Sequence, residues 1–163
     1  MRIAVDCDAA GTELKRVIVE HMRSLGASVE DLDFLGARTG DYPDIGYYLA
    51  RRVANGEFDR GVLICGTGLG MAMIANKVEG IYAGVCHDVY SAERLRRSNN
   101  AQILTLGARV IGPEAAKSVI TAWIHSEFEA GRSLPKVSRM CELEREDRSR
   151  GEAPGPAKEA PHS

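Results

Sequence analysis

A cysteine followed by three alternating glycines is the pattern in this sequence that most directly indicates chemistry. Cys65 ends an apolar run, and Gly66-Thr67-Gly68-Leu69-Gly70 follows it before a helical pattern begins. Glycines let the backbone turn tightly and present N–H groups to a ligand. Helix N-termini favour anions and lower the pKa of a nearby cysteine thiol from its usual value of about 8.5. Cysteines are often simply buried at strand ends, but the glycines favour a reactive thiol beside an anion-binding loop.

The spacing of this segment excludes three familiar motifs. A P-loop requires Gly-x4-Gly-Lys-Ser/Thr, and a dinucleotide fingerprint requires glycine or alanine where this chain has Met71. A Cys-x5-Arg phosphatase loop requires arginine at that same position. Neither nucleotide binding nor phosphatase chemistry is expected.

Length and charge limit the architecture and the partners. The 163 residues, 44% hydrophobic and 27% charged, suffice for one domain with a real core. The formal net charge of −2 gives no general attraction for nucleic acid or an anionic membrane. We therefore expect small molecules or a second copy of the chain as partners.

The cysteines and the absence of long apolar runs indicate a cellular compartment. The four cysteines, Cys7, Cys65, Cys86 and Cys141, form no Cys-x-x-Cys pair and accompany no histidine cluster. Reduced thiols and no metal or other cofactor are therefore expected. The sequence shows no signal-peptide hydrophobic region and no apolar run near the roughly 18 residues of a membrane span. These features predict a soluble cytoplasmic protein.

Short apolar runs alternate with amphipathic segments, as in repeated βαβ units, which predicts an α/β fold with a mostly parallel sheet. Strands are predicted at residues 3–5, 28–32, 62–64, 81–85 and 103–106. Helices are predicted at residues 12–25, 43–55, 71–77, 91–97, 113–129 and 134–145. Residues 1–145 then form the folded domain. Residues 146–163, rich in charge, glycine and proline, are predicted to be a flexible tail.

Two candidate residues follow strands and should meet in space. Ligands of open parallel sheets bind at the carboxyl ends of strands, and both Asp8 and Cys65 lie directly after a strand. They are expected to face one crevice. Asp8 also suits an N-cap or turn role before the first helix, and the two roles are compatible.

Several motifs in one order resemble the family of type B ribose-5-phosphate isomerases and galactose-6-phosphate isomerases. The resemblance covers roughly residues 1–143. It implies a three-layer Rossmann-like (flavodoxin-like) sandwich with a five-stranded sheet. It also implies a homodimer, or a tetramer, whose active sites are shared between subunits. The motifs are Cys7-Asp8-Ala9-Ala10-Gly11, Asp41-Tyr42-Pro43, Ile64-Cys65-Gly66-Thr67-Gly68-Leu69-Gly70-Met71 with Ala75-Asn76-Lys77, and Gly107-Ala108-Arg109-Val110-Ile111-Gly112.

The reaction implied by this resemblance is aldose–ketose isomerisation of a phosphorylated sugar through a cis-enediolate, without metal or nucleotide. Cys65 would be the base that moves a proton between C1 and C2, and Thr67 would assist proton movement between the oxygens. Backbone N–H groups of residues 66–70 would stabilise the enediolate charge. Asp8 would hold a substrate hydroxyl.

Four further residues match positions at which the family handles substrate and phosphate. They are Asn99, Arg109, Arg132 and Lys136, the last in place of a usual arginine. Arginine suits phosphate through its two-pronged donor geometry. By composition alone any single arginine is a solvated surface charge, but the motif positions favour a ligand role.

Two histidines usual in the family are absent here. Ala9 stands where the family has the histidine of its phosphate end, and Ser98 where it has the group that opens a furanose ring. A tetrose 4-phosphate cannot close a furanose, because the oxygen needed for closure carries the phosphate. Residues 87–94 and 98–103 also resemble the erythritol-pathway branch of the family. The sequence therefore predicts interconversion of D-erythrulose 4-phosphate and D-erythrose 4-phosphate.

Other interpretations stay open at this point. His87 follows a predicted strand and could replace a lost imidazole, although a lone loop histidine is usually structural or solvated. An ordinary ribose-5-phosphate isomerase would need Ser98, His87 or water for ring opening. A non-catalytic sugar-phosphate-binding subunit is a further alternative, against which the retention of Cys65, Thr67 and the loop glycines argues.

Overall fold

The computed structural model describes residues 1–33 and 41–150. Five strands lie in this part of the chain: β1 (Arg2–Cys7), β2 (Ser28–Asp31), β3 (Arg60–Cys65), β4 (Ala83–Val85) and β5 (Ile103–Gly107). The helices of the same ranges are α1 (Thr12–Ser24), α2 (Tyr42–Ala54), α3 (Leu69–Ala75), α4 (Val89–Arg97), α5 (Pro113–Ile124) and α6 (Ala130–Ser149). A 3-10 turn, Ala9–Gly11, precedes α1. No helix of the described ranges is long and apolar enough to cross a bilayer.

All strand pairs of the sheet are parallel, in the order β2-β1-β3-β5-β4. The α/β class and the five-stranded parallel sheet are thus confirmed. The last two strands are exchanged relative to the flavodoxin order 2-1-3-4-5, because β5 pairs with β3 and leaves β4 at the edge. β4 is short and half-buried, which suits an edge strand, whereas β3 and β5 are buried along their whole length.

Helices cover both faces of the sheet and give the three predicted layers. Successive side chains of a strand point to opposite faces, so Ile3 and Val5 pack into one core while Ala4 packs into the other. The first core contains residues of α1 and α5, and the second contains residues of α2 and α3. Their largest fully buried helical members are Ile18, Met22, Ile120 and Trp123 in the first core, and Ile45, Leu49 and Met71 in the second.

Helix α5 ends at Ile124, well before the predicted end at residue 129. The buried guanidinium of Arg60 donates to the carbonyl oxygens of Trp123 (2.9 Å), Ile124 (3.3 Å) and Ser126 (2.9 Å). It thereby supplies donors to carbonyl groups that a helix end leaves without helical partners. A side chain from the start of β3 thus caps the end of the helix.

Helix α6 begins earlier and ends later than predicted. Gly131 adopts non-helical angles near its start (φ 27°, ψ −126°), and the helix then continues to Ser149. The predicted tail is therefore helical at its first residues, and residues 151–163 lie outside the described ranges. Val137 is buried, and the Tyr82 hydroxyl lies 3.3 Å from both Cys141 Sγ and Glu144 Oε2. These contacts pack α6 beside the chain that leads into β4.

Candidate active site

Loops from four strands meet at one end of the sheet. Because every strand is parallel, all of them finish at the same end, which we call the carboxyl end of the sheet; the other is the amino end. Asp8 follows β1, residues 66–70 follow β3, His87 follows β4 and Arg109 follows β5. The Asp8 N–H donates to the Ile64 carbonyl at 3.1 Å and so ties the first of these loops to β3. The structure therefore places these predicted site residues together.

The Cys65 side chain is held inside its own loop. Cys65 is 5% exposed at the last position of β3, and the Gly68 N–H donates to its Sγ at 3.1 Å. Gly68 has φ +79°, a left-handed conformation that glycine adopts without strain. The exposed Thr67 accepts the Leu69 N–H on its hydroxyl at 3.3 Å. The predicted thiol thus lies directly beneath the glycine loop.

The glycine loop is pressed against β5, backbone to backbone. A Cβ on Gly107 would lie 2.7 Å from the carbonyl carbon of Thr67, closer than a real side chain allows. The Thr105 hydroxyl donates to the Gly68 carbonyl at 2.9 Å, and the Ala108 N–H donates to the Cys65 carbonyl at 2.8 Å. The position of the loop therefore depends on the position of the end of β5.

Arg109 brings a positive charge to the mouth of the loop. Its N–H donates to the Gly66 carbonyl at 3.0 Å, and its side chain passes so close to Gly66 that a Cβ there would lie 3.5 Å from Arg109 Cδ. Arg109 is exposed. A guanidinium at this place can pair with an anionic group of a ligand.

Asp8 has the capping role that its position suggested. Its Oδ1 accepts the Ala10 N–H at 2.9 Å, which starts the 3-10 turn before α1. The residue is half-buried at the carboxyl end of the sheet, next to the Cys65 loop. The cap fixes the orientation of the carboxylate.

Two other thiols near this end of the sheet are held in their neutral form. Burial raises the pKa of the Cys7 thiol to about 11, although the nearby Lys15 ammonium opposes part of that shift. Burial, with a contribution from Asp88, raises the pKa of the Cys86 thiol to about 12. Neither thiol is therefore available as a thiolate at neutral pH.

The ring of His87 contacts the backbone of β5. Its Nε2 accepts the Gly107 N–H at 2.8 Å, so the ring is neutral there and carries its proton on Nδ1. This contact occupies one of the two nitrogens that a replacement for a lost family imidazole would use.

Three predicted site residues lie at the amino end of the sheet, away from Cys65. Helix α4 starts after the carboxyl end of β4 and returns the chain, so Asn99 follows it at the amino end, where its N–H contacts the Arg94 carbonyl. Helix α6 begins beside the same point, because the Glu129 N–H donates to the Arg97 carbonyl at 2.9 Å. Arg132 and Lys136 belong to the start of α6, and both are exposed.

The Tyr42 side chain, for which the sequence predicted no role, reaches the glycine loop. A side chain at Gly70 would overlap the Tyr42 ring, so the ring lies directly over the loop. Asp41 fixes this tyrosine at the start of α2 by accepting its N–H at 2.7 Å. The signal was present in the Asp-Tyr-Pro motif, which places an aromatic residue at a capped helix start.

In residues 1–33 and 41–150, no group of three or more His, Cys, Asp or Glu side chains could hold a metal ion.

Comparison with known proteins identifies the family. Residues 3–140 match the family model described as Ribose/Galactose Isomerase. A Pectobacterium atrosepticum protein named D-erythrulose-4-phosphate isomerase is 47% identical over 151 residues, covering 91% of this chain and 98% of the relative. A Listeria innocua protein named Ribose-5-P isomerase B is 45% identical over 148 residues, covering 91% and 100%. The solved Ribose-5-Phosphate Isomerase B of Clostridium thermocellum has a TM-score of 0.85 and 41% identity, covering 90% of this chain and 99% of that one. The chain therefore belongs to the ribose/galactose isomerase family and is a sugar-phosphate isomerase of that family.

Proposed function

We propose that this isomerase interconverts D-erythrulose 4-phosphate and D-erythrose 4-phosphate. Relatives named for the tetrose and for the pentose reaction match it at 47% and 45% identity, so overall similarity does not choose between them. The choice rests on one observation: Ala9 and Ser98 stand where a pentose isomerase of this family would have imidazoles. A tetrose 4-phosphate has no furanose ring to open, and therefore needs no ring-opening acid.

Cys65 is the proposed base that moves the proton between C1 and C2 of the substrate. Its sulfur accepts a backbone N–H and lies at the carboxyl end of the sheet, where ligands of open parallel sheets bind. Cys7 and Cys86, the buried thiols nearby, are held neutral by burial. A general base within reach of the substrate carbon contributes about 10²- to 10⁴-fold to the rate.

The glycine loop is the proposed binding site for the negative charge of the enediolate. N–H groups at the start of a helix have no helical partner, and residues 66–70 precede or begin α3. Within this loop the Gly68 N–H donates to Cys65 Sγ and the Leu69 N–H to the Thr67 hydroxyl, and both would share these contacts with a bound oxyanion. Preorganised N–H groups aimed at a developing oxyanion are a large source of catalysis. Thr67 is exposed at this loop and would assist transfer of the proton between the two oxygens. Asp8 would accept a hydrogen bond from a substrate hydroxyl.

The contact made by His87 is consistent with a tetrose substrate. Its Nε2 is engaged with the Gly107 N–H, so this nitrogen is not free to act on a furanose ring. Ser98, at the end of α4, has a hydroxyl rather than an imidazole and cannot supply a proton near neutral pH.

We further propose that two copies of the chain build each active site. Asn99, Arg132 and Lys136 follow helices that return the chain to the amino end of the sheet, whereas the Cys65 loop is at the carboxyl end. A two-fold dimer would bring this amino-end cluster of one copy to the carboxyl end of the other. Arg109 would then share the binding of the substrate phosphate with the start of α6 of the partner subunit.

The test compares kcat/KM for D-erythrose 4-phosphate and D-ribose 5-phosphate on one preparation, because ribose 5-phosphate closes a furanose through its free C4 oxygen and erythrose 4-phosphate cannot. We expect a strong preference for the tetrose. A preference for the pentose would show that another group opens the ring and would overturn the choice of substrate. The Cys65→Ala variant is the background control; it should lose turnover on both substrates while still binding a phosphate ligand. Turnover retained by that variant would exclude Cys65 as the base.

A further inference from the structure

We propose that His87 is a positioning residue, which holds the end of β5 against the Cys65 loop and so keeps the backbone donors of that loop in place. This inference rests on the proposed function of the loop. It assigns to His87 a role in the geometry of the loop rather than contact with the substrate.

The first observation is that β5 extends beyond the end of its neighbour β4. The ladder between them pairs Val85 with Thr105 and ends with the Cys86 N–H donating to the Thr105 carbonyl at 3.1 Å. The Gly107 N–H points to the same side of β5 as Thr105, because backbone groups alternate along a strand. It lies beyond the last residue of β4. His87 Nε2 accepts this N–H at 2.8 Å and takes the place of a strand carbonyl.

The second observation is the position of Gly107. It is the partner of Cys65 in the β3–β5 register, and its Cα faces the Thr67 peptide so closely that no side chain fits between them. Gly107 is therefore held between His87 on one side and the glycine loop on the other. In a close-packed region, a shift of one backbone is passed on to the next.

The third observation concerns the protonation state of the ring. A ring nitrogen that accepts an N–H carries no proton, so Nε2 is an acceptor only in the tautomer with its proton on Nδ1. Any side chain that presents a hydrogen-bond acceptor at the same place should accept the Gly107 N–H equally well. Glutamine does so with its Oε1, whereas leucine is of similar size and presents no acceptor.

The experiment measures kcat, KM and thermal unfolding for His87→Leu and His87→Gln with D-erythrulose 4-phosphate. His87→Leu should lower kcat per folded molecule by up to about 100-fold, the scale of a small misplacement of catalytic groups, with KM nearly unchanged. His87→Gln should recover most of that loss. Should His87→Gln not fold, the recovery is sought in His87→Gly with added imidazole.

The matched control is His21→Leu. His21 lies on α1, and its Nε2 contacts the Thr121 hydroxyl at 2.8 Å, so this variant loses a hydrogen bond of the same length away from the loop. It should lower stability and leave kcat unchanged. Wild-type kcat in folded His87→Leu, or no recovery with either acceptor, would overturn the positioning role. Activity in Cys65→Ala would instead overturn the proposed function, so the two failures are distinguishable.

Discussion

Mixing one inactive and one impaired variant should restore activity if each site is built from two chains. Cys65→Ala removes the proposed base at the carboxyl end of the sheet, and Arg132→Ala removes a proposed phosphate ligand at the amino end. Hydrogen bonds to a charged group are worth about 1.5–3 kcal/mol, so Arg132→Ala should lower kcat/KM by about 10- to 150-fold. Cys65→Ala should lose turnover altogether.

The expected recovery follows from the positions of the two residues. In a mixed dimer, one site combines both substitutions and the other receives intact Cys65 from one chain and intact Arg132 from its partner. Random reassociation makes half of the dimers mixed, and half of their sites are intact, so the mixture should reach about one quarter of wild-type activity. Mixed dimers purified with two different affinity tags should reach about one half.

The assay is kcat/KM on D-erythrulose 4-phosphate below saturation, after the variants are unfolded together and refolded. The matched control combines Cys65→Ala with Asp8→Ala. Both residues lie at the carboxyl end of one chain, so every site of that mixed dimer keeps one defect and no recovery is expected. Tagged mixed dimers of Cys65→Ala and Arg132→Ala without activity would refute the shared site.

Three further predictions concern stability, substrate choice and pH. Arg60→Met should lower the free energy of unfolding by about 2–3 kcal/mol, because buried carbonyl groups lose a charged donor. Glu127→Gln should change it by less than about 1 kcal/mol, because the Glu127 side chain is 75% exposed. Urea denaturation measures both changes, and kcat should be unchanged in both variants. Ser98→His should raise kcat/KM on D-ribose 5-phosphate by about 100-fold relative to D-erythrose 4-phosphate, the lower scale of acid–base catalysis; an unchanged ratio would contradict the missing-imidazole argument. Because the unfolded chain releases the Cys86 proton at lower pH than the folded chain, whose pKa for this thiol is about 12, unfolding free energy should fall as pH rises above about 9, by at most about 1.4 kcal/mol per pH unit. Urea midpoints from pH 8 to 10 should decline less steeply in Cys86→Ala, and an identical decline would contradict the role of this thiol.

Local patterns in the sequence predicted most of the helices and strands, but not the contacts that end or order them. The periodicity of α5 continues past Ile124, and nothing in that periodicity shows that Arg60, far away in the chain, takes the carbonyls of its last turn. The exchange of β4 and β5 is likewise a matter of long-range pairing. Hydrophobic runs identify a strand but do not say which neighbour it will have.

About half of the candidate site could be predicted from the sequence. Asp8 and Cys65 both follow strands of a parallel sheet, so their meeting at the carboxyl end follows from the topology. Asn99 and Arg132 instead follow helices, which return the chain to the amino end, and this much was readable from the predicted elements. A pattern within one chain does not reveal the two-fold symmetry by which a second copy would bring the two ends of the sheet together.

The placement of the two clusters at opposite ends of one chain also bears on how such an isomerase can evolve. The proposed proton transfer depends on the β3 loop, whereas the proposed binding of the phosphate depends in part on the start of α6. After a gene duplication, one daughter could lose its thiol and the other the basic residues at the start of α6, and a mixed pair would still assemble one complete site. Selection could then reshape the substrate range in one gene while the chemistry stayed unchanged in the other.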